Sequence, residues 1–320
     1  MALIKSMHEK WRYKTFGFNA FINCSGGFDR LTKFEPMHSF KLLIFIASAA
    51  FSIALQGQDS LWISRGEWTD IPDSVQSIRF NSNPQWSGIN STLSRVPGES
   101  STLFLINTDS ISHTWGLQVE GEEDWELAAF DSLLIPIPAM AQGTYRFGLL
   151  DESGRVLGAS GQLQVGLEGE YPLFHWNLGD WSMERMASAD AGYPVDWDSP
   201  YVPEQFTINE RTFPATVDDS DAFVALSLGD TCLISIANHG FMDHVFHFHG
   251  FHVTMMTSTH HPQRIGWSKD TVPIRMGEAL TVRLIAYQVG LYPVHNHNLI
   301  AVTNAGFYPG GMITQIHVTP

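Results

Sequence analysis

The sequence predicts an all-β protein of two β-sandwiches, and three observations lead there. No long helical period stands out after residue 58. Short apolar or alternating runs recur instead, separated by Gly, Pro, Asn and Asp, which is the spacing of strands and turns in a sandwich. The stretch 166–170, GLEGE, reads as a linker that leaves roughly 110 residues before it and roughly 150 after it, each the size of one sandwich.

Taken in order, residues 59–100 are rich in Ser, Asn, Gly and Pro with interspersed Trp and Ile, and read as an irregular strand and loop. Residues 102–106 (TLFLI), 132–137 (SLLIPI) and 161–165 (GQLQV) are strands of the first half. Residues 181–203, rich in Asp, Ala, Ser, Tyr and Pro, read as a long surface connection. In the second half, 223–228 (FVALSL), the apolar 232–236 (CLISI) and 280–285 (LTVRLI) are strands.

Composition narrows the function classes. Of 320 residues 44% are hydrophobic and only 16% charged, which describes a packed globular chain and not a disordered one. Two cysteines cannot make a disulfide framework or a Cys-based zinc module. A net charge of −15 argues against a nucleic-acid partner, because phosphate binding needs a basic face.

Residues 37–57 read MHSFKLLIFIASAAFSIALQG, a start with one Lys, an apolar run from Leu42 to Leu55, then small and polar residues. This is the layout of a signal peptide, cleaved after Ala54 or near Gly57. The run is shorter than the roughly 20 residues that cross a bilayer, and a membrane anchor is the rival reading. Residues 1–36 are then an upstream extension and Met37 the true start. The expected location is periplasmic or secreted, with no membrane partner after cleavage. Of the 18 Lys/Arg and 33 Asp/Glu, 7 and 3 fall in residues 1–54, so cleavage leaves 11 against 30. Cys24 is removed with the leader, and Cys232 remains as a buried thiol that reads as inert core.

Histidines outnumber cysteines 14 to 2, and seven of them fall between His239 and His261. The centre of that set is His244-Val-Phe-His247-Phe-His249-Gly250. His247 and His249 are two apart, so on a strand they share a face while Phe246 and Phe248 point into a core. His295-Asn296-His297 repeats the spacing. Two strands that each present a His-x-His pair can converge on one or two metal ions, and the spacing alone leaves copper and zinc open.

The run from His244 to Gly250 resembles the penultimate copper motif of multicopper oxidases, His-Pro-x-His-x-His-Gly. Its surroundings are similar too: Phe206-Thr-Ile-Asn209, Gly229-Asp230, Lys269-Asp-Thr-Val272 and Asp180-Trp181. Gly290-Leu-Tyr-Pro-Val-His295-Asn-His297 is similar to the last motif, a Gly run followed by His-Cys-His. The resemblance implies two Greek-key sandwiches of the cupredoxin type. Residues 58–166 would be a degenerate N-terminal cupredoxin-like domain and 167–320 a C-terminal multicopper-oxidase-like one. It also implies copper, with zinc the alternative.

The departures limit what such a site can do. In the family a type 1 copper accepts electrons and passes them to a three-copper cluster that reduces dioxygen. Here Asn296 stands at the type 1 Cys position and Ala301 at its downstream His, leaving His244 alone. Met312 follows a loop too long for the family's axial Met. The resemblance retains His247, His249, His295 and His297 as cluster ligands of the second domain. In the first domain it keeps His113, in His113-Thr-Trp115, but puts Trp115 at one ligand and no His after Gly143-Thr-Tyr145. His113 is either a copper ligand shared with His247 across an interface, which in two-domain members lies between subunits of a homotrimer, or an ordinary loop histidine. Three functions stay open: a copper oxidoreductase without type 1 copper, fed by an unidentified small-molecule or protein electron donor; a non-catalytic copper storage, delivery or sensing protein; and a structural cupredoxin with a vestigial or zinc site.

Overall fold

A computed structural model describes residues 59–71, 74–119 and 121–320. The expected extension and signal peptide, and Cys24, lie outside the described residues. Among those described, no helix is long and apolar enough to cross a membrane.

Four sheets pair into two sandwiches of cupredoxin type. In the first, the strands Val75–Asn81, Asp59–Trp68, Ser101–Asn107 and Ser132–Ile137 lie in that order. They face a sheet ordered Leu93–Arg95, Ser160–Val165, Gly143–Leu149, His113–Leu117 and Asp124–Leu127. In the second sandwich, one sheet runs Gln205–Ile208, Leu173–Trp181, Thr231–Asn238, Ala279–Ile285, Val253–Ser258 and Ser268–Lys269. The other runs Val224–Ser227, Ile313–Thr319, Gly290–Asn296, His244–Phe248 and Thr271–Ile274.

Each sandwich is filled by the inward members of alternating strands. The second core is organised on Trp176, which stacks on Phe248 at 5.7 Å between centroids and tilts against Phe246 at 5.5 Å. All three rings are fully buried, as the strand period requires of Phe246 and Phe248. Cys232 lies in the same core, and burial pushes its thiol pKa up to about 12, so it stays protonated and inert.

Two stretches are more regular than the sequence suggests. Asp59–Trp68 is a ten-residue strand that pairs with Val75–Asn81 on one side and runs parallel to Ser101–Asn107 on the other. Only Leu61 and Ile63 show the alternation, and Arg65-Gly66-Glu67 dilutes it. Within 181–203, Met183–Asp190 is a helix. Its Met186 and Ala189, three apart, cover the first core together with Trp181 and Val195. That core therefore draws on residues from both sides of the 166–170 stretch.

The two sandwiches form one compact unit. Across their contact Thr144 and Thr281 hydroxyls bond at 2.8 Å, and Gln164 Nε2 donates to Ser235 Oγ at 2.7 Å. The buried Arg79 guanidinium stands 5.2 Å from the Trp68 ring centroid and 5.5 Å from that of Trp181. Nearby, Asn90 Nδ2 donates to Glu210 Oε1 at 2.8 Å, and Trp68 Nε1 to the Glu210 carbonyl at 3.1 Å.

Candidate metal centre

The strands His244–Phe248 and Gly290–Asn296 are antiparallel neighbours with His247 opposite His295. The period of two then puts His249 and His297 on the same face, at opposite ends of the pair. Four imidazoles gather on the outer face of the sheet. Ring centroids are 4.5 Å apart for His247 and His249, 5.1 Å for His249 and His295, and 5.9 Å for His247 and His297. His247, His249 and His295 are half-buried and His297 is exposed.

Neighbouring groups fix two of these rings. His295 Nδ1 lies 3.0 Å from the Asn296 carbonyl oxygen, which can only accept, so Nδ1 carries the proton and Nε2 the lone pair. His247 Nδ1 is 3.1 Å from Thr271 Oγ1, on the strand at its other edge. Such contacts orient a ligating imidazole. His249 Nε2 and His295 Nε2 face each other at 3.0 Å. Burial, and then the His247 and His295 rings, hold His249 below its ordinary pKa, which favours the neutral form that binds metals.

The residues fit a copper ion by donor chemistry. Two nitrogens each about 2.0 Å from one first-row ion stand about 3 Å apart, which is the His249–His295 spacing. Among the described residues no three His, Cys, Asp or Glu close on one ion position as they stand. His247 and His297 are near enough to join through side-chain rotation.

His244 and His113 lie apart from this cluster, each with both ring nitrogens engaged. His244 Nε2 is 3.0 Å from Asp180 Oδ2, and its Nδ1 accepts from Asn296 Nδ2 at 2.8 Å. Asn296 Nδ2 also lies 3.3 Å from Met312 Sδ. The folded chain thus brings Met312 beside Asn296 and His244, which the loop length did not suggest. Asp180, Asn296 and Met312 are fully buried with His244, and Asp180 also accepts from the amides of Phe241 and Met242 and from Tyr201. A closed hydrogen-bonded chain occupies the position where the family motif has a thiolate. Sequence spacing points to His244 and Asn296. The resemblance includes Asp180, but its contact with His244 could not be read from spacing, since Asp180 comes from a strand of the opposite sheet.

His113 is buried in the first sandwich between two carboxylates, Asp151 Oδ2 at 3.0 Å from Nδ1 and Asp109 Oδ2 at 3.1 Å from Nε2. Burial disfavours the imidazolium, but the two carboxylates outweigh it and raise the pKa. Trp115, at the lost ligand position, is core and tilts against Phe147 at 6.2 Å. His239, His252, His260 and His261 do not join the four-ring cluster.

Comparison with known proteins agrees with this architecture. The multicopper oxidase family model matches residues 197–315. The blue copper oxidase from Nitrosomonas europaea superposes with a TM-score of 0.67 at 20% identity, over 81% of this chain and 85% of that one. The multicopper oxidase mgLAC gives 0.67 at 21% identity over 82% and 86%. Copper nitrite reductase from Nitrosomonas europaea gives 0.63 at 14% identity over 82% and 93%. No curated protein matches the sequence. The multicopper oxidase family model thus falls mainly on the second sandwich, and the solved structures share the cupredoxin-like fold of both.

Proposed function

We propose that the protein is an exported copper-binding cupredoxin that holds copper at His247, His249, His295 and His297 and exchanges electrons there directly, without a type 1 copper. The observation that carries this is the four-imidazole face with a 3.0 Å His249–His295 contact, one residue away from a position where Asn replaces the thiolate. Copper bound there would supply a one-electron redox couple. The protein's own part is to hold the rings, through the Asn296 carbonyl and Thr271, and to leave the cluster open to a donor, since His297 is exposed. The second reading, copper binding without turnover, draws on the closed Asp180–His244–Asn296 chain, which offers no thiolate route for electrons. The zinc alternative gains no support from the comparisons.

Export rests on the layout of residues 37–57. A homotrimer is part of the proposal, and the large exposed apolar side chains Leu299, Phe307 and Tyr308, 75–80% exposed on the segment after His297, suit an assembly surface.

Copper stoichiometry with EPR on the secreted protein tests the site. Copper without blue thiolate absorption is expected, with His247→Ala and His297→Ala lowering the copper content. Wild-type copper in both variants would refute the ligand set. Oxidation of a phenol or of Cu(I) that disappears with the copper would separate turnover from storage.

A further inference from the structure

A second concave site lies between the two sandwiches, apart from the histidine face. It is a cavity of about 320 Å³, walled by Arg146, Arg155 and Leu150 from the first sandwich and by Phe241 and Met276 from the second. Among the described residues no Asp or Glu lines it, although the chain has 33 acidic residues against 18 Lys and Arg. Arg65, Arg95, Arg211 and Arg275 each pair with an Asp. Among the described residues Arg146 and Arg155 pair with none.

Arg146 is only 9% exposed. Among the described residues its side chain makes one hydrogen bond, from Nε to His239 Nδ1 at 3.3 Å. That partner is neutral. His239 donates its other nitrogen to Asn177 Oδ1 at 3.0 Å, and burial, with Arg146 beside it, holds its pKa well down. Among the described residues the two terminal nitrogens of Arg146 have no partner at the cavity wall. Burial pushes the Arg146 pKa down to about 10, and the charge of Arg155 adds to this. Arg155 is exposed and lies over the Phe241 ring at 5.4 Å. Gly277, at φ +82°, lets the backbone come close: a Cβ there would stand 3.0 Å from Arg146 Nη1.

Two like charges beside an acid-free cavity are compensated by an anion placed between them. A planar guanidinium fork matches a carboxylate, and Leu150, Phe241 and Met276 add apolar wall beside the polar Gln118, Ser160 and His239. We propose that this cavity binds a small organic acid, its carboxylate on Arg146 and Arg155 and its apolar body against Leu150, Phe241 and Met276. The ligand would touch both sandwiches and so stabilise their contact.

The test uses the full chain freed of copper, so the copper reading does not enter, with benzoate as the probe at constant ionic strength. Calorimetry should show one saturable site, and the melting temperature should rise with benzoate. Arg155→Gln, at an exposed position, should weaken binding at least tenfold. Arg146→Gln should abolish it, and Arg275→Gln should leave it unchanged. Neutral benzamide should not bind. Absence of saturable benzoate binding, equal binding of benzamide, or an unchanged Kd in Arg155→Gln would overturn the proposal. So would sulfate giving the full stabilisation while benzoate gives none.

Discussion

Asn296 decides which chemistry the second sandwich can host. Its side-chain amide donates to His244, lies against Met312 Sδ, and its oxygen accepts the Asn298 amide at 2.9 Å. An amide in this position is a hard, neutral group where a type 1 copper takes a soft thiolate. Restoring the thiolate and the missing imidazole together, as Asn296→Cys with Ala301→His, should give a copper-loaded protein with intense blue absorption, which visible spectroscopy checks. The unaltered chain should show none. Asp180 holds the other end of His244. Asp180→Asn replaces an acceptor that four donors use by a group with only one oxygen. It should lower stability by about 1–3 kcal/mol, measurable by urea unfolding, and leave the copper content of the four-histidine face unchanged.

At the level of elements, the site depends on how the His244–Phe248 strand ends. Gly250 has φ +76°, and a Cβ there would meet the Tyr292 ring at 2.7 Å and Gln288 Nε2 at 2.6 Å. Gly250→Ala should therefore cost about 1–2 kcal/mol in backbone strain alone, with displacement of Tyr292 in addition. Because Tyr292 shares its strand with His295, copper affinity should fall along with the melting temperature. Thr271→Val should be milder. It keeps the strand but frees Nδ1 of His247, so copper affinity should fall with little change in stability. The sequence made this part of the molecule legible because the period of two is unbroken in both His-x-His runs, with Phe246 and Phe248 marking the inner face. Asp59–Trp68 was not legible, since four consecutive polar or small residues, Ser64 to Glu67, mask its buried face. The helix Met183–Asp190 was hidden as well, because only two of its eight residues, Met186 and Ala189, are fully buried. Asp109 lies four residues before His113, but Asp151 beside His113 and Asp180 beside His244 come from distant segments, and no local spacing records them.

Over the whole molecule, the contact between the sandwiches carries a buried acid. Glu210 is held above its ordinary pKa by burial, against the opposing effect of Arg79 and the hydrogen bonds from Asn90. Below the unfolded pKa of about 4.3 Glu210 is protonated in both states and has no effect. As pH rises above that value, the unfolded chain loses the proton first, so stability falls until the folded pKa is passed. Glu210→Gln removes this term. Its stability relative to the unaltered protein should therefore increase with pH over that window, and thermal unfolding at a series of pH values checks it. A flat difference would mean that Glu210 ionises freely in the folded state. The order of strands has a separate consequence, one of timing. Gly290–Asn296, which bears His295, is bordered on one side by His244–Phe248 and on the other by Ile313–Thr319, which follows both in sequence. During synthesis the histidines of both motifs are made before that flanking strand exists. The imidazole face therefore becomes rigid only after the rest of the second sheet has been laid down, so a partly made chain carries the ligands without the frame that orders them.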